Sequence, residues 1–299
     1  KIDLSTKFFN KKVSFPFLIS CMTGGTKEAE KINQKLAECA NELNIPVGVG
    51  SQRQALENYD FHESYKIIRK HAGSVPVLGN LGAAQLILSN NIVDNVKQLI
   101  DLVEADAFVI HLNPLQELLQ REGEPNFKGL LKKIQLLTTK IKIPFIAKEV
   151  GSGISDNSAM KLLEVGIKGI DVAGSGGTSW AKVENLRNNE TVNSFNDWGL
   201  PTSYCVRTVS ELKKKKKFML ISSGGINNGI EIAKSIALGA DFAASARIIF
   251  QEVIKNDIEG VRNLILSWLE DVKNIMYLTN SDSLKNLQKS KLIRKSEMY

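Results

Sequence analysis

The fold class that the sequence predicts is a single-domain (β/α)8 barrel, an α/β architecture, and three observations predict it. Short β-prone runs alternate with helix-period segments from end to end, and eight such runs can be placed. The Gly-x-Gly-x-x-Gly turn that opens a doubly wound open sheet does not follow the first of them. No composition shift or Pro/Ser-rich linker divides the 299 residues, and barrels of roughly 250 residues fold as one unit.

In chain order, strands are expected at Phe17 to Cys21, Pro46 to Val49, Val75 to Leu78, Ala107 to Leu112, Pro144 to Lys148, Gly169 to Val172, Phe218 to Ser222 and Asp241 to Ala244. Between them, Thr26 to Glu42, Ile92 to Val103, Phe127 to Thr138, Ala159 to Val165 and Ile230 to Leu238 carry apolar residues at three- and four-residue spacings, the pattern of covering helices. Ile258 to Met276 reads as a closing helix with a polar tail after it.

Loops that follow the strands form the active-site face of such a barrel, so polar residues at strand ends carry functional weight. The first run leads into Met22-Thr23-Gly24-Gly25, the second into Gly50-Ser51-Gln52-Arg53, the third into Gly79-Asn80 and the fourth into His111 to Glu117. The fifth ends in Lys148-Glu149-Val150-Gly151-Ser152-Gly153, and the sixth in Gly174 to Trp180. Gly224-Gly225 and Ser245-Ala246 close the seventh and eighth, where this fold usually binds phosphate through backbone N–H groups. A phosphorylated cofactor is implied. Gly24-Gly25, taken alone, is equally well read as a tight turn.

Lys148 ends an otherwise apolar strand and calls for an anionic partner, since an unpaired buried ammonium costs several kcal/mol. A flavin suits it, because a lysine beside the N1–C2=O edge stabilises negative charge on the reduced ring. The stretch His111 to Glu117 offers an imidazole, two carboxamides and a carboxylate, a set able to hold hydrated Mg2+ through oxygens and a diphosphate through N–H donors. Arg53 adds a cationic fork that serves either a phosphate or a surface ion pair. His62 and His71, in helix-like surroundings, read as structural.

The net charge of +7 reads as a basic surface, and the run Lys213 to Lys217, without interleaved aromatics, as a solvated helix end rather than a nucleic-acid site. Cys21, Cys39 and Cys205 suggest neither a disulfide framework nor a zinc site. The absence of an apolar run near the roughly 18 residues of a membrane span, and of a signal peptide, leads to the expectation of a cytoplasmic protein without a membrane partner.

Taken in order, Met22 to Gly25, Gly50 to Arg53, His111-Leu112-Asn113 with Gln116-Glu117, Lys148 to Gly153, Asp171 to Trp180 and Trp198 to Thr202 resemble the FMN-dependent type 2 isopentenyl-diphosphate isomerases. The resemblance implies isomerisation of isopentenyl to dimethylallyl diphosphate with Mg2+ and reduced FMN, the flavin kept reduced by NADPH or NADH. It implies that Thr23, Ser51, Asn80, Lys148 and Thr178 contact FMN, with Gly224, Gly225, Ser245 and Ala246 around its phosphate. Arg53, His111 and Ser152 would meet the substrate diphosphate, Gln116 would be catalytic near the reacting carbons, and Glu117, helped by Asn113, would organise Mg2+.

A homo-oligomer, tetramer or octamer, is expected on the same ground. So is a substrate-binding Arg-Lys pair ahead of residue 1, because Lys11-Lys12 lie too close to the first strand to be that pair. Asn227 stands where the family often has Arg. The alternative is an FMN-dependent oxidoreductase of the hydroxy-acid oxidase or dihydroorotate dehydrogenase type. A hydroxy-acid oxidase would be expected to carry a His-Gly-Gly-Arg run after the seventh strand, and this chain has none. A non-catalytic anion-binding barrel would leave the polar strand ends unexplained.

Overall fold

The computed structural model describes residues 2–188, 194–290, 292–293 and 295–297. A hairpin of β1 (Thr6–Phe8) and β2 (Lys11–Val13) precedes eight parallel strands: β3 (Phe17–Ile19), β4 (Val47–Gly48), β5 (Val77–Gly82), β6 (Ala107–Leu112), β7 (Phe145–Glu149), β8 (Gly169–Asp171), β9 (Met219–Ser222) and β10 (Phe242–Ser245). They close in chain order, β10 pairing β3, which makes the expected (β/α)8 barrel.

Strand alternation sorts the side chains. Phe17, Ile19, Val47, Val77, Phe108, Ile110, Phe145, Ala147, Ile170 and Leu220 face the helices and join the large outer core. Leu18, Leu78, Val109, Ile146, Ile221 and Phe242 fill the barrel itself. Phe8, brought in by the hairpin, plugs the interior from the N-terminal end, edge-to-face with Phe242 at 5.1 Å between ring centroids. Burying a Phe side chain of this kind stabilises the fold by about 2–3 kcal/mol. Lys11 lies at that same end, paired with Asp106 at 2.6 Å and donating to Ser74 O, far from the strand ends that carry the loops.

Two residues further along five of the interior rows the character changes from apolar to polar: Leu18 is followed by Ser20, Leu78 by Asn80, Val109 by His111, Ile146 by Lys148 and Ile221 by Ser223, while on β10 Phe242 is followed by the small Ala244. The period-2 repeat therefore lays a polar floor across the C-terminal mouth of an apolar barrel.

The covering helices include Lys27–Leu43, Glu63–Ala72, Ile92–Val103, Leu130–Lys140, Asp156–Glu164 and Gly229–Ala237. The helix Lys27–Leu43 is capped by Thr26, whose side chain accepts from Ala29 N, and stopped by Asn44 in the left-handed conformation. The closing helix runs from Arg247 to Leu278 and breaks at Asp257 (φ 58°, ψ −164°), one residue before the expected start at Ile258. Asp257 is held there by Lys35 at 2.9 Å and accepts from Ile258 N, so it caps the second segment. Strand limits differ from expectation mainly at β5, which continues through Gly79-Asn80 to Gly82 because it pairs with β6 along that whole length. No helix among the described residues is long and apolar enough to cross a membrane.

Candidate active site

A cavity of about 710 Å3 opens at the C-terminal mouth of the barrel. Thr23, Ser51, Arg53, Asn80, His111, Asn113, Gln116, Glu117, Lys148, Thr178, Gly224, Gly225, Ser245 and Ala246 all line it. Ser152 alone of the expected site residues does not. It lines a small neighbouring recess with Leu115, Gln116, Trp180 and Trp198.

The short helix Pro114–Leu119 builds one wall. Pro114 at its first turn lacks an N–H that would be unsatisfied there anyway, which fixes the helix start just after β6. Positions i, i+3 and i+4 then set Asn113, Gln116 and Glu117 on one face. Asn113 does not cap the helix; its amide donates to Glu117 Oε1 at 2.9 Å and to Gln116 Oε1 at 3.3 Å. Glu117 Oε2 accepts the Glu124 N–H at 2.8 Å, and Asn113 Oδ1 is buried without a hydrogen-bond partner. Among the described residues no three His, Cys, Asp or Glu side chains gather as a metal-binding group.

Across the floor, strand register aligns Gly82, His111, Lys148 and Asp171 on β5, β6, β7 and β8. His111 Nδ1 lies 3.0 Å from Asn80 Oδ1, an acceptor, so Nδ1 carries the proton and Nε2 presents a lone pair in the neutral ring. Burial, with a smaller push from the Lys148 charge, brings the His111 pKa down to about 4. Lys148 Nζ donates to Glu149 O at 2.8 Å and sits 3.7 Å from Asp171 Oδ2. Burial raises the Asp171 pKa against the opposing pull of Lys148 and the Ser223 hydroxyl, which donates to Oδ1 at 2.5 Å. Cys21, also on the cavity wall, has its pKa pushed up to about 12 by burial, which disfavours the thiolate.

Glu149 shapes the loop after β7. Its Oε2 accepts from Val150, Gly151 and Ser152 N–H at 2.6, 2.6 and 2.5 Å. Burial raises its pKa, and the three N–H bonds partly offset that. This turn places Val150 and Gly151 on the cavity wall and Ser152 beyond it, at the neighbouring recess.

Beyond β8 from Lys148, Gly224-Gly225 after β9 packs on Gly174 and Gly176 after β8 and, with Ser245-Ala246 after β10, forms a glycine cradle on the cavity wall. Gly224 and Gly225 have φ of 98° and 83°, and a Cβ at either would meet Gly174 O at 2.1 Å or Gly176 O at 2.4 Å. The Ser245 hydroxyl donates to Ile226 O at 2.7 Å and ties the two loops together. Asn227 folds its amide onto Gly225 O at 2.7 Å, and its N–H donates to Glu231, so its side chain closes the turn. Helices Gly229–Ala237 and Arg247–Leu278 start directly behind this cradle.

The helix Trp180–Arg187, which no expectation covered, contributes Glu184. This carboxylate is 2% exposed, accepts Gln116 Nε2 on Oε1 at 3.2 Å and pairs with Arg187 through Oε2 at 2.9 Å. The sequence signals were local: Ser179 as N-cap, accepting from Lys182 N, and Glu184 and Arg187 spaced i, i+3. Arg53, on the rim, forms a surface pair with Glu57 at 3.4 Å while also lining the cavity. His62 is structural, bonded to Ala55 O at 2.9 Å, and His71 pairs with Glu38 at 2.9 Å. Lys213 and Lys214 are paired with Asp241 and Glu211.

A family model described as FMN-dependent dehydrogenase matches residues 97–294. A curated isopentenyl-diphosphate delta-isomerase of Chlorobium limicola is 43% identical over 308 residues, covering 98% of this chain and 84% of the relative. One from Pyrococcus abyssi is 40% identical over 304 residues, covering 98% and 81%. Among solved structures, a putative lactate oxidase of Pediococcus acidilactici superposes with a TM-score of 0.72 at 14% identity, covering 98% of this chain and 79% of that one. That likeness speaks for the fold alone. The full-length relatives and the flavin-dehydrogenase match together make this chain a member of the isopentenyl-diphosphate delta-isomerase family, in its FMN-dependent type 2 branch.

Proposed function

We propose that the protein interconverts isopentenyl and dimethylallyl diphosphate at the barrel mouth, with reduced FMN and Mg2+ bound and NADPH or NADH as the source of reducing electrons. The observation that carries the reading is the helix face Asn113, Gln116 and Glu117 turned into the cavity that the glycine cradle closes.

The residues present fit the flavin. Gly224 and Gly225 line the cavity on a turn packed so closely on Gly174 and Gly176 that neither position has room for a Cβ, the loops lie where this fold takes phosphate, and Lys148 brings a cation to the cavity floor. Gly224, Gly225, Ser245 and Ala246 would hold the phosphate, and Thr23, Ser51, Asn80 and Thr178 would line the ring, with Lys148 at its electron-accepting edge. When bound, reduced FMN supplies a proton donor and acceptor and an electron-rich face that stabilises nearby positive charge.

The residues also fit a divalent cation. Asn113 Oδ1 is a buried acceptor with no partner, next to the Glu117 carboxylate, and hard cations take such oxygens. With one carboxylate in reach, the cation would complete its shell from water and diphosphate oxygens. Arg53 and His111 would draw the diphosphate in, with Ser152 at the neighbouring recess. His111 starts neutral, so an incoming anion raises its basicity and recruits a proton to Nε2. Gln116, steered by Glu184, would orient the alkene. Moving the double bond requires a proton added at one carbon and removed from another, and these residues serve to position the hydrocarbon for that exchange.

The test pits two activities against each other. Purified protein with FMN, a reductant and Mg2+ is expected to form dimethylallyl diphosphate, while lactate and mandelate leave the oxidised flavin spectrum unchanged under anaerobic conditions. Flavin bleaching by a 2-hydroxy acid without isomerisation would move the assignment to an oxidase.

A further inference from the structure

We propose that Asp171 is a positioning residue that sets how much positive charge Lys148 presents to the flavin, and through it the preference of the site for reduced over oxidised FMN. The inference rests on the reading of the cavity as an FMN site.

Asp171 lies under the cavity lining, on β8, register partner of Lys148 on β7. Its side chain is 1% exposed, that of Lys148 13%. The two carboxylate oxygens are used differently. Oδ1 is anchored by the Ser223 hydroxyl at 2.5 Å, whereas Oδ2 is buried without a hydrogen-bond partner and faces Lys148 Nζ at 3.7 Å. That separation is too long for a hydrogen bond but short for two charges in a low-dielectric interior. The ammonium uses one donor on Glu149 O, which leaves it further donors for an acceptor above the floor.

No other acidic side chain aligns with Lys148 in this row of the barrel, where its other register neighbour is His111. Burial opposes the charged form of Asp171 while the Lys148 ammonium 3.7 Å away favours it, so the charge on this floor is set by the balance between Lys148 and one carboxylate. Reduction adds negative charge to a flavin. A lysine freed of its carboxylate stabilises that charge more, and a fully compensated one stabilises it less.

Asp171→Asn keeps the shape and an acceptor toward Ser223 but removes the charge. It is expected to raise the ratio of reduced to oxidised FMN affinity about tenfold, equivalent to a midpoint potential about 30 mV more positive for a two-electron couple. Asp171→Glu, which restores a carboxylate, is expected to return the potential toward that of the parent. Asp171→Ser carries the same test if the carboxamide is not accommodated. The readout is the potential of bound FMN, by equilibration with reference dyes, in variants that retain FMN. A parent that binds FMN, with potentials unchanged in the Asn and Ser variants, overturns the role of Asp171 and leaves the isomerase reading standing. A parent that binds no FMN overturns both.

Discussion

Gln116 and Glu184 meet across the barrel mouth, Nε2 of one donating to Oε1 of the other at 3.2 Å from helices 68 residues apart in the chain. Because a carboxylate only accepts, the contact fixes which end of the Gln116 amide points at Glu184 and which end is turned to Asn113. Glu184→Ala is expected to lower kcat about ten- to a hundredfold, the cost of a misplaced positioning group, with KM changed less than threefold. Arg187→Ala, removing the exposed partner of the same carboxylate, should cost less than threefold. Equal losses in the two variants would contradict a specific Gln116 role.

Glu117 is expected to act on the metal and not on the flavin. Glu117→Gln should raise the Mg2+ concentration for half-maximal activity by at least about tenfold, since a neutral carboxamide is a weaker ligand for a hard cation. FMN affinity, followed by fluorescence quenching, should stay within twofold. A variant with the parent's Mg2+ requirement would remove Glu117 from the metal site.

Gly225→Ala tests the phosphate cradle. The position has φ of 83°, and the added Cβ would sit 2.4 Å from Gly176 O, a backbone atom that cannot swing away. FMN affinity should fall more than tenfold. Gly129→Ala is the control, since its φ of 86° gives similar backbone strain but nothing lies within 4 Å of the new Cβ. It should leave FMN affinity unaltered.

His111 makes stability depend on pH. Its pKa falls from 6.5 to about 4 on folding, so the unfolded chain binds the extra proton first. The stability contribution is fully present above about 6.5 and is lost as pH falls toward 4. Between pH 7 and 5 the parent should therefore lose about 2 kcal/mol more than His111→Gln, measured by urea unfolding of the flavin-free proteins. Asp171 and Glu149, whose pKa values burial raises, act with the opposite sign in both proteins and cancel in the difference. The same residue predicts proton uptake when diphosphate binds near pH 7, readable by calorimetry in buffers of different ionisation enthalpy.

Much of this arrangement was legible in the sequence because a barrel strand has a period of two. Once Leu78, Val109 and Ile146 are taken as interior, Asn80, His111 and Lys148 must follow them to the mouth, and Gly224-Gly225 after β9 and Ser245-Ala246 after β10 fall at the same end. What escaped depends on contacts between segments distant in the chain. Glu184 reaches Gln116 only when two loops fold over the same cavity, and Phe8 finds the barrel interior only through the β1–β2 hairpin. Ser152 was expected beside the diphosphate; Glu149 gathers the three following N–H groups on one oxygen, a turn that sequence spacing does not show, and sets Ser152 at the adjoining recess rather than on the main cavity wall. Asn227 stands where the family often has Arg, and its amide closes the turn on Gly225 O, a contact between residues too close in the chain for any periodicity to signal.

The most direct measurement is isomerisation of isopentenyl diphosphate by the purified protein with FMN, NADPH and Mg2+, and with each component omitted in turn. The account predicts dimethylallyl diphosphate only when flavin, reductant and metal are all present, with no net consumption of NADPH beyond that needed to reduce the flavin. Conversion at full rate without flavin, or tightly bound reduced FMN with no conversion, would contradict it.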